Sequence, residues 1–308
     1  MIDFPSGFLF NPTPIPHPPM NRIVPPIVCV CVFELLAAAT TMRAAAINFD
    51  TPGDYLNNFN VVISTNAGST SGVSESTTGG ILGSPGSLLY TPATTNDSTA
   101  LFKIGGFNFG FDGAILSESM MFHTGPGVTT AAGRTLQLGF SGNLNSAFNG
   151  GAQQSQLGAW TSVRVNTTAT SGSYTFEGQE KPTGTAATGA TAFGGITISL
   201  TANNWYRLSL TLTNLAGAGN YSIGGIIQDF GADGVTGGAT VATFPVTNRT
   251  LVDLDSTLFG GFRTATNTSN ATNYDAYTVV PEPGSIAVLA GGIALLSVLR
   301  RRTASLKL

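Results

Sequence analysis

Residues 205–215 read WYRLSLTLTNL, and the order of apolar and polar side chains in this run restricts the fold more than any other feature. On an extended backbone Tyr206, Leu208, Leu210 and Leu212 fall on one side, with Arg207, Ser209 and Thr211 on the other. Alternation with a period of two sends one set into a core and the other to water, which describes a strand. The pattern recurs along the chain. Leu136, Leu138 and Phe140 alternate with Gln137 and Gly139; Val163 and Val165 alternate with Arg164 and Asn166. Ile196, Ile198 and Leu200 alternate with Thr197 and Ser199. Clusters such as AGAGN and TTGGILGSPG separate the runs and suit turns. Outside the two terminal apolar segments, helical periodicity never lasts beyond a few residues. Many strands without intervening helices predict an all-β antiparallel β-sandwich, a common use of a chain of 308 residues. No strict internal repeat appears, which counts against a propeller or a β-helix. The nearly charge-free stretches Asn66–Gly86 and Gly178–Gly194 read as long surface loops in one domain, with linkers between two domains as the alternative.

Composition narrows the function classes. Charged residues are only 9% of the chain, too few to lace the faces of a helical bundle. The 42% of apolar residues, with 19 phenylalanines, supply enough material for a core and argue against disorder. Between Ile47 and Val280 there are 13 acidic and 7 basic side chains, a balance of −6. No basic patch is available to neutralise phosphates, so nucleic acid is not an expected partner. Both cysteines, Cys29 and Cys31, lie near the start. A chain processed after them has no disulfide, no thiolate metal ligand and no thiol nucleophile.

Both ends carry membrane signals. From Met20, a second candidate start, Asn21 and Arg22 give a short basic opening and Ile23–Ala39 an apolar stretch. Pro25, Pro26 and Glu34 interrupt that stretch, and Ala44-Ala45-Ala46 offers a small-residue cleavage site. Residues 1–46 are read as an N-terminal extension and signal peptide, which implies a secretion translocon as partner. At the other end Ile286–Leu299 is an apolar run of 14 residues. Gly284 and Ser285 extend it towards the ~17–25 that a spanning helix needs. Arg300, Arg301 and Arg302 follow as a cytoplasmic stop for a single C-terminal transmembrane helix. The order Pro281-Glu282-Pro283-Gly284, apolar helix, arginine cluster resembles the PEP-CTERM sorting signal of Gram-negative bacteria. TASLKL after the arginines is a departure from that pattern. The resemblance covers about the last 30 residues, 280–308. It implies that Pro281, Glu282 and Pro283 are read by an exosortase-type membrane enzyme, and that the tail is removed on the way to the cell surface or matrix.

The remaining body, residues 47–279, carries INFDTPGDYLNNFN, NNWYRLSLTLTNLAGAGNYS and GGFRTATNTSNATNYDAYTVV. These segments resemble concanavalin A-like (laminin G-like) jelly rolls of PEP-CTERM proteins. The resemblance implies that the first and last strands pair and that the middle segment is a core strand. Folds of this kind serve lectins, glycan-binding modules, glycosidases and adhesive domains.

Catalytic chemistry is thinly represented. His123 is the only histidine of the body, and no G-x-S-x-G elbow accompanies it. Glu177 and Glu180, just before Pro182, are expected in a turn. Glu118 lacks the clustered carboxylates of laminarinase-like enzymes. Asp50, Asp54 and Asp275 lie in the segments expected to pair as first and last strands, and are the candidate ligands of a structural calcium ion. Asp229 and Asp233 form a second acidic loop without EF-hand spacing. No other cofactor is implied. Trp160 and Trp205 are the candidate sugar-stacking aromatics, with a core position the likelier fate of Trp205. The sequence therefore predicts an exported, non-enzymatic surface or matrix protein, glycan-binding or structural, with exopolysaccharide as a candidate partner. A polysaccharide-active enzyme is the alternative.

Overall fold

A strand with one apolar side needs a second layer to cover it. The computed structural model describes residues 46–64, 72–91, 98–125, 133–144, 158–168, 170, 172–182, 190–265 and 272–282. All of them belong to the unit Met42–Leu308. The signal segment, both cysteines, Pro283, Gly284 and the three arginines of the tail lie outside the described residues. Among the described residues no helix is long and apolar enough to cross a membrane.

One sheet has eight strands. Its order is β1 (Phe59–Ser64), β4 (Ser98–Lys103), β14 (Thr257–Ala265), β7 (Gly133–Ser141), β8 (Trp160–Thr167), β9 (Ser173–Lys181) and β10 (Thr191–Ser199). The short β5 (Phe107–Asn108) pairs with β14. The other sheet has seven strands: β13 (Ala239–Thr250), β12 (Asn220–Asp229), β11 (Trp205–Asn214), β6 (Ile115–His123), β15 (Thr272–Glu282), β3 (Ser87–Thr91) and β2 (Gly72–Ser76). Their pairings are antiparallel. A five-residue helix, α1 (Asp54–Asn58), precedes β1.

The two sheets bury their facing sides against each other as an antiparallel sandwich. From β11, Tyr206, Leu208, Leu210 and Leu212 are buried as the alternation predicts, while Thr211 is exposed. Leu136, Leu138 and Phe140 of β7, Val163 and Val165 of β8 and Phe176 of β9 meet them from the opposite sheet. Ring contacts cross between the layers: Phe176 lies 5.7 Å from Phe244 of β13, and Phe262 of β14 lies 5.5 Å from Tyr277 of β15. At about 25 cal/mol per Å² of apolar surface, this interface is the main stabilising term of a chain with so few charges.

The chain ends are tied to each other. The first and last strands do not pair as expected: β1 pairs with β4 in the eight-stranded sheet and β15 lies in the other, so the ends meet only at an isolated bridge where Ile47 and Tyr277 exchange two backbone hydrogen bonds of 2.8 and 3.0 Å. β15 continues through Val280, Pro281 and Glu282, which pair with Ser117, Leu116 and Ile115. The first two residues of the proposed sorting motif are thus extended and in the sheet.

Three expectations need correction. Glu177 and Glu180 lie in β9 and not in a turn, because the alternation of Tyr174 and Phe176 with Thr175 and Glu177 carries the strand up to Pro182. The two supposed long loops also contain strand. β2 occupies Gly72–Ser76, and β9 and β10 reach Lys181 and begin at Thr191. Gly178 makes the second of these pairings possible: a Cβ there would collide with the Phe193 ring that lies across it. Finally, Ile196 and Ile198 are only half-buried, because β10 is an edge and the core ends there.

Candidate functional site

The side of the eight-stranded sheet that faces away from the core carries the main polar cluster. Because Leu136, Leu138 and Phe140 point inward, Gln137 and Ser141 point outward. Register then lines up residues from neighbouring strands. On one rung Arg263, Gln137, Arg164 and Glu177 lie side by side; on the next stand Gly261, Gly139, Ser162 and Gln179. A third holds Phe259, Ser141, Trp160 and Lys181.

Hydrogen bonds join the first two rungs. Gln137 Nε2 donates to Ser162 Oγ at 2.8 Å, and Ser162 Oγ donates to the Gln179 carbonyl at 3.3 Å. Arg164 donates through Nη1 to Gln179 Oε1 at 2.9 Å and through Nε to Glu177 Oε1 at 2.7 Å. Asn166 Nδ2 reaches the same Glu177 oxygen at 2.8 Å. Gln137, Ser162, Gln179, Lys181 and Arg263 are all buried although they face away from the other sheet. Two buried polar atoms, Gln137 Oε1 and Lys181 Nζ, have no hydrogen-bond partner. Burial without a partner disfavours a charge, and it pushes the Lys181 ammonium pKa down.

One end of this face is aromatic. Phe102 and Trp160 are buried with Ala100, and Leu144, Ala190 and Phe259 pack against them. Asn60 Nδ2 holds the Leu144 carbonyl at 2.7 Å, which fixes that residue over the aromatic end. Amides, a hydroxyl and guanidinium groups set beside aromatic rings form an array suited to a ligand with many hydroxyls.

The structure brings two of the three proposed calcium ligands, Asp50 and Asp275, to one loop. Asp50 and Asp275 both grip the chain between Gly80 and Ser87. Asp50 accepts from Gly86 N at 2.7 Å and from Ser84 Oγ at 2.8 Å; Asp275 accepts from Ile81 N at 3.1 Å and from Ala276 N at 2.6 Å. Asp54, at the start of α1, accepts from Thr51 N at 3.2 Å. Among the described residues no three acidic, histidine or cysteine side chains are placed to hold a metal ion. Burial, with Asp50 as a lesser cause, raises the Asp275 pKa to about 7. Asp229 and Asp233 are likewise taken up locally. Asp229 accepts from Gly231 N and Asn204 Nδ2, and Asp233 from Val235 N and Thr236 N.

The other candidates are also engaged. His123 Nδ1 accepts from Gly125 N at 3.1 Å, its ring lies 5.2 Å from Trp205, and burial lowers its pKa. Glu180 is buried and bound by Tyr221 Oη at 2.5 Å and by Arg249, whose guanidinium sits 4.6 Å above Phe193. Glu118 lies in the core beneath Tyr277. Trp205 is buried, as expected, but so is Trp160, so neither offers a free surface ring.

Sequence reasoning missed the array itself. Gln137 and Arg164 sit at positions that alternation assigns to water, and only the pairing of four strands brings them together. Three cations against one carboxylate on these rungs, in a body poor in bases, is the signal that was present.

The described chain is an antiparallel β-sandwich with a polar array on its outer face. No family model matches it, and no curated protein does. Among solved structures it is similar to an alginate lyase from Chlorella virus, with 10% identity, 78% of this chain, 99% of that one and a TM-score of 0.48. It is similar to the Ca2+/Man3GlcNAc-bound exoplasmic/lumenal domain of VIP36, with 8% identity, 78% and 88% of the chains and a TM-score of 0.47. A third is the lectin UEA-II complexed with galactose, with 10% identity, 79% and 99% coverage and a TM-score of 0.46.

Proposed function

We propose that this chain is an exported bacterial surface or matrix protein that binds glycan through the outer face of its eight-stranded sheet. The carrying observation is the Gln137–Ser162–Gln179–Arg164 array with its unpartnered Gln137 Oε1. Saccharide hydroxyls both donate and accept, so they match fixed amides and guanidinium groups. Binding is preferred to polysaccharide cleavage because Glu177 is tied to Arg164, Glu180 to Arg249 and Glu118 to Tyr277. Residues 1–46 serve as the export signal, 47–279 as the binding domain and 280–308 as a PEP-CTERM-type signal cut by a membrane enzyme. Glycan-array screening of the purified chain is the test. The expected result is saccharide binding that Gln179→Ala weakens; an array without a single hit would sink the reading.

A further inference from the structure

We infer that the outer face of the eight-stranded sheet is a site for an acidic saccharide, whose carboxylate is met by Lys181. The inference rests on the glycan reading above and adds the chemical class of the ligand. Three observations carry it.

The first is charge. Across the three rungs the ionisable side chains are Arg263, Arg164, Lys181 and Glu177. Glu177 is neutralised by Arg164 at 2.6 Å, which leaves Lys181 without a carboxylate on these rungs, in a domain with a net −6. The second is the state of Lys181. Its side chain is 1% exposed and its Nζ has no hydrogen-bond partner. An ammonium group in that position is costly unless an anion joins it. A chain that needed only a packed sheet would be better served by an apolar residue there. The third is the company it keeps. Lys181 is the cross-strand neighbour of Trp160, and the next rung carries Ser162 and Gln179. Gln137 Oε1, still without a donor, completes a set that wants one carboxylate and several hydroxyls from the same molecule. A sugar acid supplies both. An isolated inorganic anion supplies no ring for the aromatic end, and a neutral sugar supplies no partner for Lys181.

In the described state Leu144 and Ala190 pack over Phe102 and Trp160. The ligand therefore enters by displacing that cover, where a side-chain hydrogen bond from Asn60 holds Leu144.

Calorimetry on the full chain with oligogalacturonate, and with the carboxyl-reduced oligomer of the same length, tests the inference. The acidic oligomer is expected to bind at least about tenfold more tightly, with affinity falling as salt is raised. Lys181→Met is expected to weaken acid binding by about tenfold or more and to raise the melting temperature, since an unpaired buried cation is removed. Lys181→Arg keeps the charge and is expected to retain binding. Equal affinity for the two oligomers, or acid binding that ignores both salt and Lys181→Met, would overturn the acidic class while leaving a glycan site in place. Binding of neither oligomer, with no hit on the wider array, would remove the glycan reading and this inference together. The salt series decides the matter even if Lys181→Met does not fold.

Discussion

Tyr277 Oη donates to Glu118 Oε1 at 2.7 Å, and both side chains are sealed in the core. The donor stands on β15 and the acceptor on the neighbouring β6, in a sheet layer otherwise filled with hydrocarbon and rings. Burial raises the Glu118 pKa well above the usual carboxylate range, against the smaller opposing effects of its bonds to Tyr277 and the Gly139 backbone. The pair is a neutral polar contact, not a charge waiting for a substrate.

Tyr277→Phe removes the side-chain donor that Glu118 has among the described residues and leaves Oε1 buried without it. The expected loss is about 1–3 kcal/mol in equilibrium urea unfolding. The folded carboxyl keeps its proton above the pH at which the unfolded chain releases it. Stability therefore falls as pH rises from the ordinary carboxylate range towards the raised folded pKa. Glu118→Gln should flatten that part of the profile, and an unchanged slope would count against the protonated assignment.

Asp275 gives a second and separate pH dependence. Between the ordinary aspartate value of 3.8 and about 7, the folded chain holds a proton that the unfolded chain has released. Its contribution is complete below that window, is lost through it and stays lost above it. Melting temperatures of wild type and Asp275→Asn, measured from pH 4 to about 8, should converge at the acid end after allowance for the lost hydrogen bonds, and the wild-type curve should be the steeper.

Calcium should not move these curves. Asp50 and Asp275 spend their oxygens on Gly86, Ser84, Ile81 and Ala276, and Asp54 faces Thr51. Melting in excess calcium and in chelator is expected to coincide, since only an ion that binds the native state raises its stability. A calcium-dependent rise would restore the three-aspartate site.

Leu210→Ala tests the core directly. Leu210 is 1% exposed at the middle of β11, so the substitution should cost about 2–5 kcal/mol. A loss of a few tenths would place that strand face outside the core.

Mass spectrometry of the protein from its native host tests the sorting proposal. The mature surface form is expected to lack residues beyond the Pro281-Glu282-Pro283 motif. Recovery of the intact C-terminus through Leu308 would favour a permanent anchor.

What the sequence reveals about this fold depends on whether the signal is local. The face of β11 is legible because Tyr206, Leu208, Leu210 and Leu212 declare it within seven residues. Edge strands are harder. β2 carries one apolar side chain among small and polar ones, and the start of β10 is broken by Gly194 and Gly195, so pairing with a neighbour supplies what alternation does not. Glu177 and Glu180 resembled turn residues because nothing in their own segment reveals Arg164, Tyr221 or Arg249. The outer array is the extreme case. Arg263 and Gln137 are opposite each other through pairing of β14 with β7, two strands more than a hundred residues apart in the chain. Period two says that Gln137 leaves the core; it does not say that it meets other polar groups instead of water.

β15 has a consequence for how this protein is made. It lies between β6 and β3, the last strand to be synthesised filling a place in the middle of its sheet. Until residues 272–282 have been synthesised, β3 and β2 have no route of pairing to β6, and Ile47 has no Tyr277 to meet. The domain therefore cannot lock shut while the chain is still being made. Completion is a single late event, timed by the arrival of the chain's own far end. A cut ahead of Thr272 would remove the keystone of the sheet, whereas a cut beyond Glu282 would leave every described rung standing.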